Sequence, residues 1–264
     1  MSRISISDTS NYKSICYNAA TNEESFNSFK RHADYNSILE HVNEQEGVQY
    51  LEYINQHFPE YKEYLDKFKE NDNVGGPVMF NYGEVGMISP TTLRYIKVLA
   101  DLKKLFGSLD DFRIVEIGCG YGGQCKIIND YFKPKEYLLF DLPESNMLIK
   151  KYVEKQGISN TKILSLEEFN PEPTESFDLI ISNYALSEIR TDIQMEYFDK
   201  IISRSKRGYL TLNFIGHIFG VNTLNKEQIF NTLSKNYKIG ELREEPLTEA
   251  NNTIVYWKDE SDTN

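Results

Sequence analysis

The sequence predicts an α/β protein in which a doubly wound, mostly parallel, seven-stranded sheet follows an N-terminal helical extension. Three observations carry this expectation. From residue 112 onward, short apolar runs alternate with stretches of helical periodicity, the pattern of parallel strands joined by crossover helices. The first run ends in a glycine-rich turn that opens a helix, and the second ends in an aspartate. Before residue 107, apolar residues recur instead at spacings of three and four.

The extension is read as residues 1–107 and the sheet domain as 108–264. The first ten residues and the stretch from Asp259 to Asn264 are polar and expected to fray. From Glu23 to about Asn71, Ile38, Val42, Tyr50, Ile54, Phe58, Tyr61, Leu65 and Phe68 trace helices, with Pro59 dividing one from the next. Residues 71–90 hold Gly75, Gly76, Pro77, Gly83 and Gly86 and read as a long loop. Its Tyr82 is a candidate substrate contact, because a loop with aromatics can fold over a site. Ser89 and Pro90 form an N-cap and first-turn pair for a helix that ends near Gly107.

Strands are expected at Phe112–Ile117, Tyr137–Phe140, Thr161–Leu164, Phe177–Ser182 and Gly208–Asn213. Two more lie near Tyr237–Leu242 and Thr253–Trp257. The helices between them are Gly123–Phe132, Ser145–Gln156, Asp192–Ser205 and Leu224–Lys235.

Composition narrows the function. Forty acidic residues against 29 basic ones give a net charge of −11, which disfavours nucleic acid and anionic lipid as partners. No apolar run reaches the length of a membrane span, and no secretory leader is visible. Three cysteines, with no C-x-x-C pair, read as reduced thiols and point to the cytoplasm.

The chemistry concentrates in Val115-Glu116-Ile117-Gly118-Cys119-Gly120-Tyr121-Gly122-Gly123. The glycines fit both a dinucleotide turn and the turn of a methyl-donor site. Glu116 separates the two readings. A carboxylate there repels a pyrophosphate but attracts the ammonium and sulfonium of S-adenosyl-L-methionine. The cofactor set is therefore Glu116, Gly118, Gly120 and Gly122, with Asp141 at the end of the next strand for the ribose hydroxyls. Leu142, Ser165 and Leu166 would line the adenine. Arg94 could pair with the methionine carboxylate or form a surface salt bridge. Asn183 and Tyr184, at the end of the fourth strand, face the same crevice. Tyr184 and Asn213 would also meet the substrate. Glu188 lies four residues beyond Tyr184 and so on the same helical face. Glu188 and His217 are alternative general bases. Asparagines rather than carboxylates follow the fourth and fifth strands, so no metal is expected.

The glycine turn, Phe140-Asp141-Leu142-Pro143, the Ser182–Glu188 run and Ile88-Ser89-Pro90-Thr91-Thr92-Leu93-Arg94-Tyr95 together resemble the sugar O-methyltransferases of bacterial surface-polysaccharide gene clusters. The resemblance spans roughly residues 25 to 258. It implies a Rossmann-like fold, S-adenosyl-L-methionine held by Glu116, Gly118, Gly120 and Asp141, and N-terminal helices capping a sugar or nucleotide-sugar acceptor. Related methyltransferases often carry His where Glu188 stands. Competing readings are a small-molecule N-methyltransferase, a non-catalytic protein that binds the cofactor, and a nicotinamide-dependent oxidoreductase, which Glu116 disfavours.

Overall fold

β-Branched, aromatic and leucine side chains suit a pleated surface buried on both faces, and they fill most of the buried positions of the inner strands of a seven-stranded sheet. The seven strands are β1 (Arg113–Ile117), β2 (Glu136–Phe140), β3 (Thr161–Leu164), β4 (Phe177–Asn183), β5 (Ser205–Leu212), β6 (Ile239–Arg243) and β7 (Thr253–Trp257). The computed structural model describes residues 4–259. The strands form one sheet in the order β3-β2-β1-β4-β5-β7-β6. The first five are parallel, and β7 runs antiparallel to both neighbours. This is the expected Rossmann-like α/β fold.

The two-residue alternation of β1 sorts its side chains. Val115 and Ile117 face one core with Leu138, Phe140, Ile180 and Leu210, covered by α6 (Thr191–Lys200) and α7 (Lys226–Leu233). Ile114 faces the other core with Tyr137, Leu139 and Ile181, and Glu116 shares this side. On that side lie α4 (Gly123–Tyr131), α5 (Pro143–Lys155) and the N-terminal extension. The extension and the sheet share this one hydrophobic cluster, which runs from Tyr12 to Ile254.

The extension contains α1 (Tyr12–Thr21), α2 (Glu44–His57) and α3 (Pro90–Phe106). Helix α1 packs on α5, and α2 packs on α3. Helix α3 begins as its sequence dictates: Ser89 Oγ accepts from the Thr92 amide at 3.1 Å, and Pro90 occupies the first turn. Every residue of α3 from Pro90 to Leu102 is buried, as a helix wedged between two layers requires.

Three expectations need correction. The first ten residues are not frayed where described: Ile6–Thr9 is a 3₁₀ turn, Ile6 is buried, and Ser5 bridges to Ile189. Residues 1–3 and 260–264 lie outside the described residues. The stretch 23–43 is a chain of short turns rather than one helix. Asn22, whose side chain accepts from the Ser25 amide, and His32, which accepts from Asp34, offer the backbone local caps that break it. Residues 71–90 are not a free loop. Asn71 and Asp72 are buried, and Phe80–Asn81 pairs with Met87–Ile88. The Asp72 carboxylate accepts from the Ser89 amide at 2.7 Å and from the Thr92 hydroxyl at 2.6 Å, which ties the segment to the start of α3.

Candidate active site

The carboxyl ends of the parallel strands open onto a cavity of about 660 Å³. Its floor begins with the turn after β1. Gly118 has φ 71° and Gly122 φ 95°, both in the left-handed region that only glycine enters without strain. A Cβ on Gly118 would stand 2.0 Å from that of Ala185, so the turn and the end of β4 can meet only with glycine here. Gly118 and Gly120 line the cavity. Gly122 does not: it caps α4 and faces Tyr152, Ile149 and Val153, so its role is to start the helix rather than to touch a ligand.

Two carboxylates flank this turn. Glu116 is 3% exposed and accepts a 2.8 Å hydrogen bond from the Tyr137 hydroxyl. No ion pair reaches it among the described residues. Burial, with Asp141 nearby, pushes its carboxyl up to about 8. A buried carboxyl with no cationic partner can ionise against a cationic ligand, so the site fits the ammonium and sulfonium of S-adenosylmethionine. Asp141 follows β2 and clamps the turn: its two oxygens accept from the Gly120 amide at 2.8 Å and the Leu142 amide at 2.7 Å. Burial raises Asp141 to about 6, against the pull of those amides. Each oxygen keeps a lone pair for a ribose hydroxyl. Leu142, Ser165 and Leu166 line the same end of the cavity, beyond β2 and β3.

The other end lies over β4 and β5. Here the backbone is held tightly. Tyr184 takes φ 68°, a conformation that costs an aromatic residue about 1–3 kcal/mol. Its amide donates to Thr211 at 2.7 Å, and its carbonyl accepts from the Ser187 hydroxyl at 2.7 Å. Ser187 Oγ in turn accepts from the Asn213 amide at 3.0 Å and lies 3.1 Å from Asn213 Oδ1. The Asn213 side-chain amide is thereby aimed at Glu188 and donates to its carboxylate. Burial raises the Glu188 carboxyl above its usual range, and the Asn213 bond opposes that shift. Asn183 accepts from the Thr211 hydroxyl at 3.2 Å. The Tyr184 hydroxyl donates to Glu244, which also accepts from Thr248 and Asn252 in the loop between β6 and β7.

Thus Glu116, Gly118, Gly120, Asp141, Leu142, Ser165, Leu166, Asn183, Tyr184, Glu188, Asn213 and Arg94 line one cavity. Arg94 is buried and donates to the Leu39 carbonyl at 2.9 Å, rather than forming a surface salt bridge. Two candidates stand elsewhere. Tyr82 packs against Gly47 and donates to the Glu44 carbonyl at 3.2 Å, so it braces α2 instead of meeting a substrate. His217 is exposed on the 3₁₀ turn Gly216–Phe219, which brings Ile215 and Phe219 to the cavity and turns His217 away from it.

The sequence reading omits Tyr50, Glu244, Thr248 and Asn252, and the strap of residues 4–7, all of which line the cavity. Tyr50 carried a signal as one of the apolar-face positions of its helix. Nothing in the sequence connects Glu244 with Tyr184, 60 residues earlier.

Residues 115–207 match the sequence model of a family described as a methyltransferase domain. No curated protein matches the chain. Among solved structures, the PH0226 protein of Pyrococcus horikoshii OT3 is similar at 12% identity, with 63% of this chain and 90% of that one covered and a TM-score of 0.50. That likeness shows the fold. A SAM-dependent methyltransferase from Aquifex aeolicus aligns at 16% identity over 60% of this chain and 87% of its own, with a TM-score of 0.44. The YcgJ protein of Bacillus subtilis aligns at 18% identity over 55% of this chain and 70% of its own, at 0.46. Residues 115–207 hold the turn and both flanking carboxylates, and the methyltransferase-domain match over them makes S-adenosylmethionine the cofactor and methyl transfer the activity.

Proposed function

We propose that this chain transfers a methyl group to a hydroxyl of a sugar or nucleotide-linked sugar, in the assembly of a bacterial surface polysaccharide. The carrying observation is the Glu188–Asn213 pair on the acceptor side of the cavity. The cofactor supplies a methyl group on a sulfonium, already a good leaving group. What the chain must add is alignment and a proton acceptor. Glu188 supplies the second. Its carboxylate is held by Asn213, and its burial makes it a stronger base than a solvated carboxylate. The frame of Ser187, Thr211 and the strained Tyr184 fixes where that base points. A carboxylate does not ionise a sugar hydroxyl beforehand, so the proton moves to Glu188 as the methyl group is transferred.

Similarity of the four sequence segments to sugar O-methyltransferases supports the acceptor class. The test is turnover of S-adenosylmethionine against sugars and nucleotide sugars, with wild-type protein and Glu188→Gln. Methylation at a sugar oxygen, lost in the variant, is the expected result. Methylation of amines alone would move the reading to nitrogen.

A further inference from the structure

The sheet order divides the cavity. Asp141 and Ser165 stand beyond β2 and β3, while Tyr184 and Asn213 stand beyond β4 and β5 on the far side of β1. The far half is roofed by α2 and walled by the loop between β6 and β7. There Tyr50, 1% exposed, lines the cavity with a hydroxyl that has no hydrogen-bond partner. Arg94, Glu244 and Glu46 are the charges that act on it. A buried hydroxyl left without a partner is disfavoured, so this one is placed to meet a ligand.

The charge of the cavity limits what that ligand is. Eight carboxylates and three cations, Lys13, Arg94 and Lys97, line it. Two of the three cations are paired with carboxylates. Lys13 pairs with Asp8 and Lys97 pairs with Asp101 at 2.7 Å, while Arg94, among the described residues, donates only to the Leu39 carbonyl. Glu244, one of the eight, stands at the end nearest Tyr50 and Tyr184 and is fixed by Tyr184, Thr248 and Asn252. A diphosphate requires several cations or free amides directed at it, and the far half sets the cation Arg94 against Glu46, Glu188 and Glu244.

We infer that the far half is an acceptor subsite in which Tyr50 hydrogen-bonds a phosphate-free sugar unit, neutral or amine-bearing, and that nucleoside diphosphate sugars are not the acceptors. This rests on the sugar O-methyltransferase reading and narrows it. Tyr50 is a recognition residue, distinct from Glu188, to which the proton transfer is assigned.

The test uses the full chain with S-adenosylmethionine and three matched pairs of probes. These are the methyl glycosides of glucose, glucosamine and N-acetylglucosamine, and the corresponding UDP-sugars. Methyl transfer is measured for each, and binding is measured with S-adenosylhomocysteine present. At least one glycoside should bind tenfold or more tightly than its UDP counterpart. Tyr50→Phe should raise that glycoside's KM about tenfold, leave kcat within about twofold, and leave cofactor affinity unchanged. A UDP-sugar that binds and reacts better than its glycoside overturns the inference while leaving the sugar reading intact. Unchanged glycoside KM in Tyr50→Phe overturns the role of Tyr50. Methylation of none of the six probes, with normal cofactor binding, overturns both the inference and the sugar reading.

Discussion

The Asn213 side-chain amide donates to the Glu188 carboxylate, although the two residues lie on different elements 25 positions apart. Asn213 follows β5, and Glu188 ends the turn after β4. The Ser187 hydroxyl accepts from the Asn213 backbone amide and sits against its side-chain oxygen, so the pair is preset by the fold. In the proposed mechanism Glu188 is the base. Glu188→Gln keeps the shape and removes the basicity. It should lower turnover by about 10²–10⁴-fold and leave cofactor affinity within about threefold. His217→Asn should leave turnover within about twofold, because His217 stands outside the cavity. Steady-state kinetics on both variants decides. Loss of turnover in the His217 variant alone would reverse the assignment.

Asp101 joins three elements. It accepts from Lys97 at 2.7 Å, from Tyr53 of α2 at 2.6 Å and from Tyr209 of β5 at 2.6 Å, and both Lys97 and Asp101 are buried. Asp101→Ala strands the Lys97 ammonium and two hydroxyls. Breaking a buried pair from one side costs about 3–5 kcal/mol. Denaturant unfolding should show a loss in that range, with the slope of the transition unchanged. A loss below about 1 kcal/mol would mean that Lys97 finds water or another partner.

Much of this architecture is legible in the sequence. The strands of the sheet lie within a few residues of their expected bounds, because runs such as Phe177–Asn183 admit few alternatives between flanking turns. The glycine turn is legible for the same local reason. Helix α1 is not part of the sequence expectation, although Tyr12, Ile15, Cys16 and Ala19 bury one face at helical spacing. Two of those four are small or sulfur-bearing, and the aromatic Tyr17 lies on the exposed face, so the stripe is faint. Tyr82 illustrates the opposite error. An aromatic in a glycine-rich segment reads as a site residue, yet Gly47 provides a notch that accepts its ring. The cluster of Tyr50, Tyr184 and Glu244 depends on three distant segments meeting, and no local period encodes that.

Asp141 has two tasks, clamping Gly120 and presenting lone pairs to the cavity. Asp141→Ala should weaken S-adenosylmethionine binding by about 1.5–3 kcal/mol, the range for lost bonds to a charged acceptor. Calorimetry on a variant shown to be folded by circular dichroism measures this. Unchanged affinity would reduce Asp141 to a brace for the turn.

The raised carboxyl of Glu116 carries a pH signature. Unfolded, it titrates near 4.5; folded without ligand, at about 8. Between those values the folded chain holds a proton that the unfolded chain has lost. Stability from this group is therefore full below pH 4.5 and declines as pH rises towards 8. The Tm of the free protein should fall across that window, and the fall should be smaller in Glu116→Gln, with the remainder coming from other raised carboxyls such as Asp141 and Glu188. An equal fall in the variant would assign it to other groups.

Cofactor binding tests the central claim most directly, and the same carboxylate makes the measurement specific. A cation beside Glu116 favours its ionised form, so binding should expel a proton. Titration calorimetry near pH 7, in buffers of different ionisation enthalpy, should show S-adenosylmethionine binding at micromolar strength, about −8 kcal/mol. Close to one proton should be released per cofactor, none of it in Glu116→Gln, and NADH should not compete. Binding of NADH with no response to S-adenosylmethionine would contradict the account.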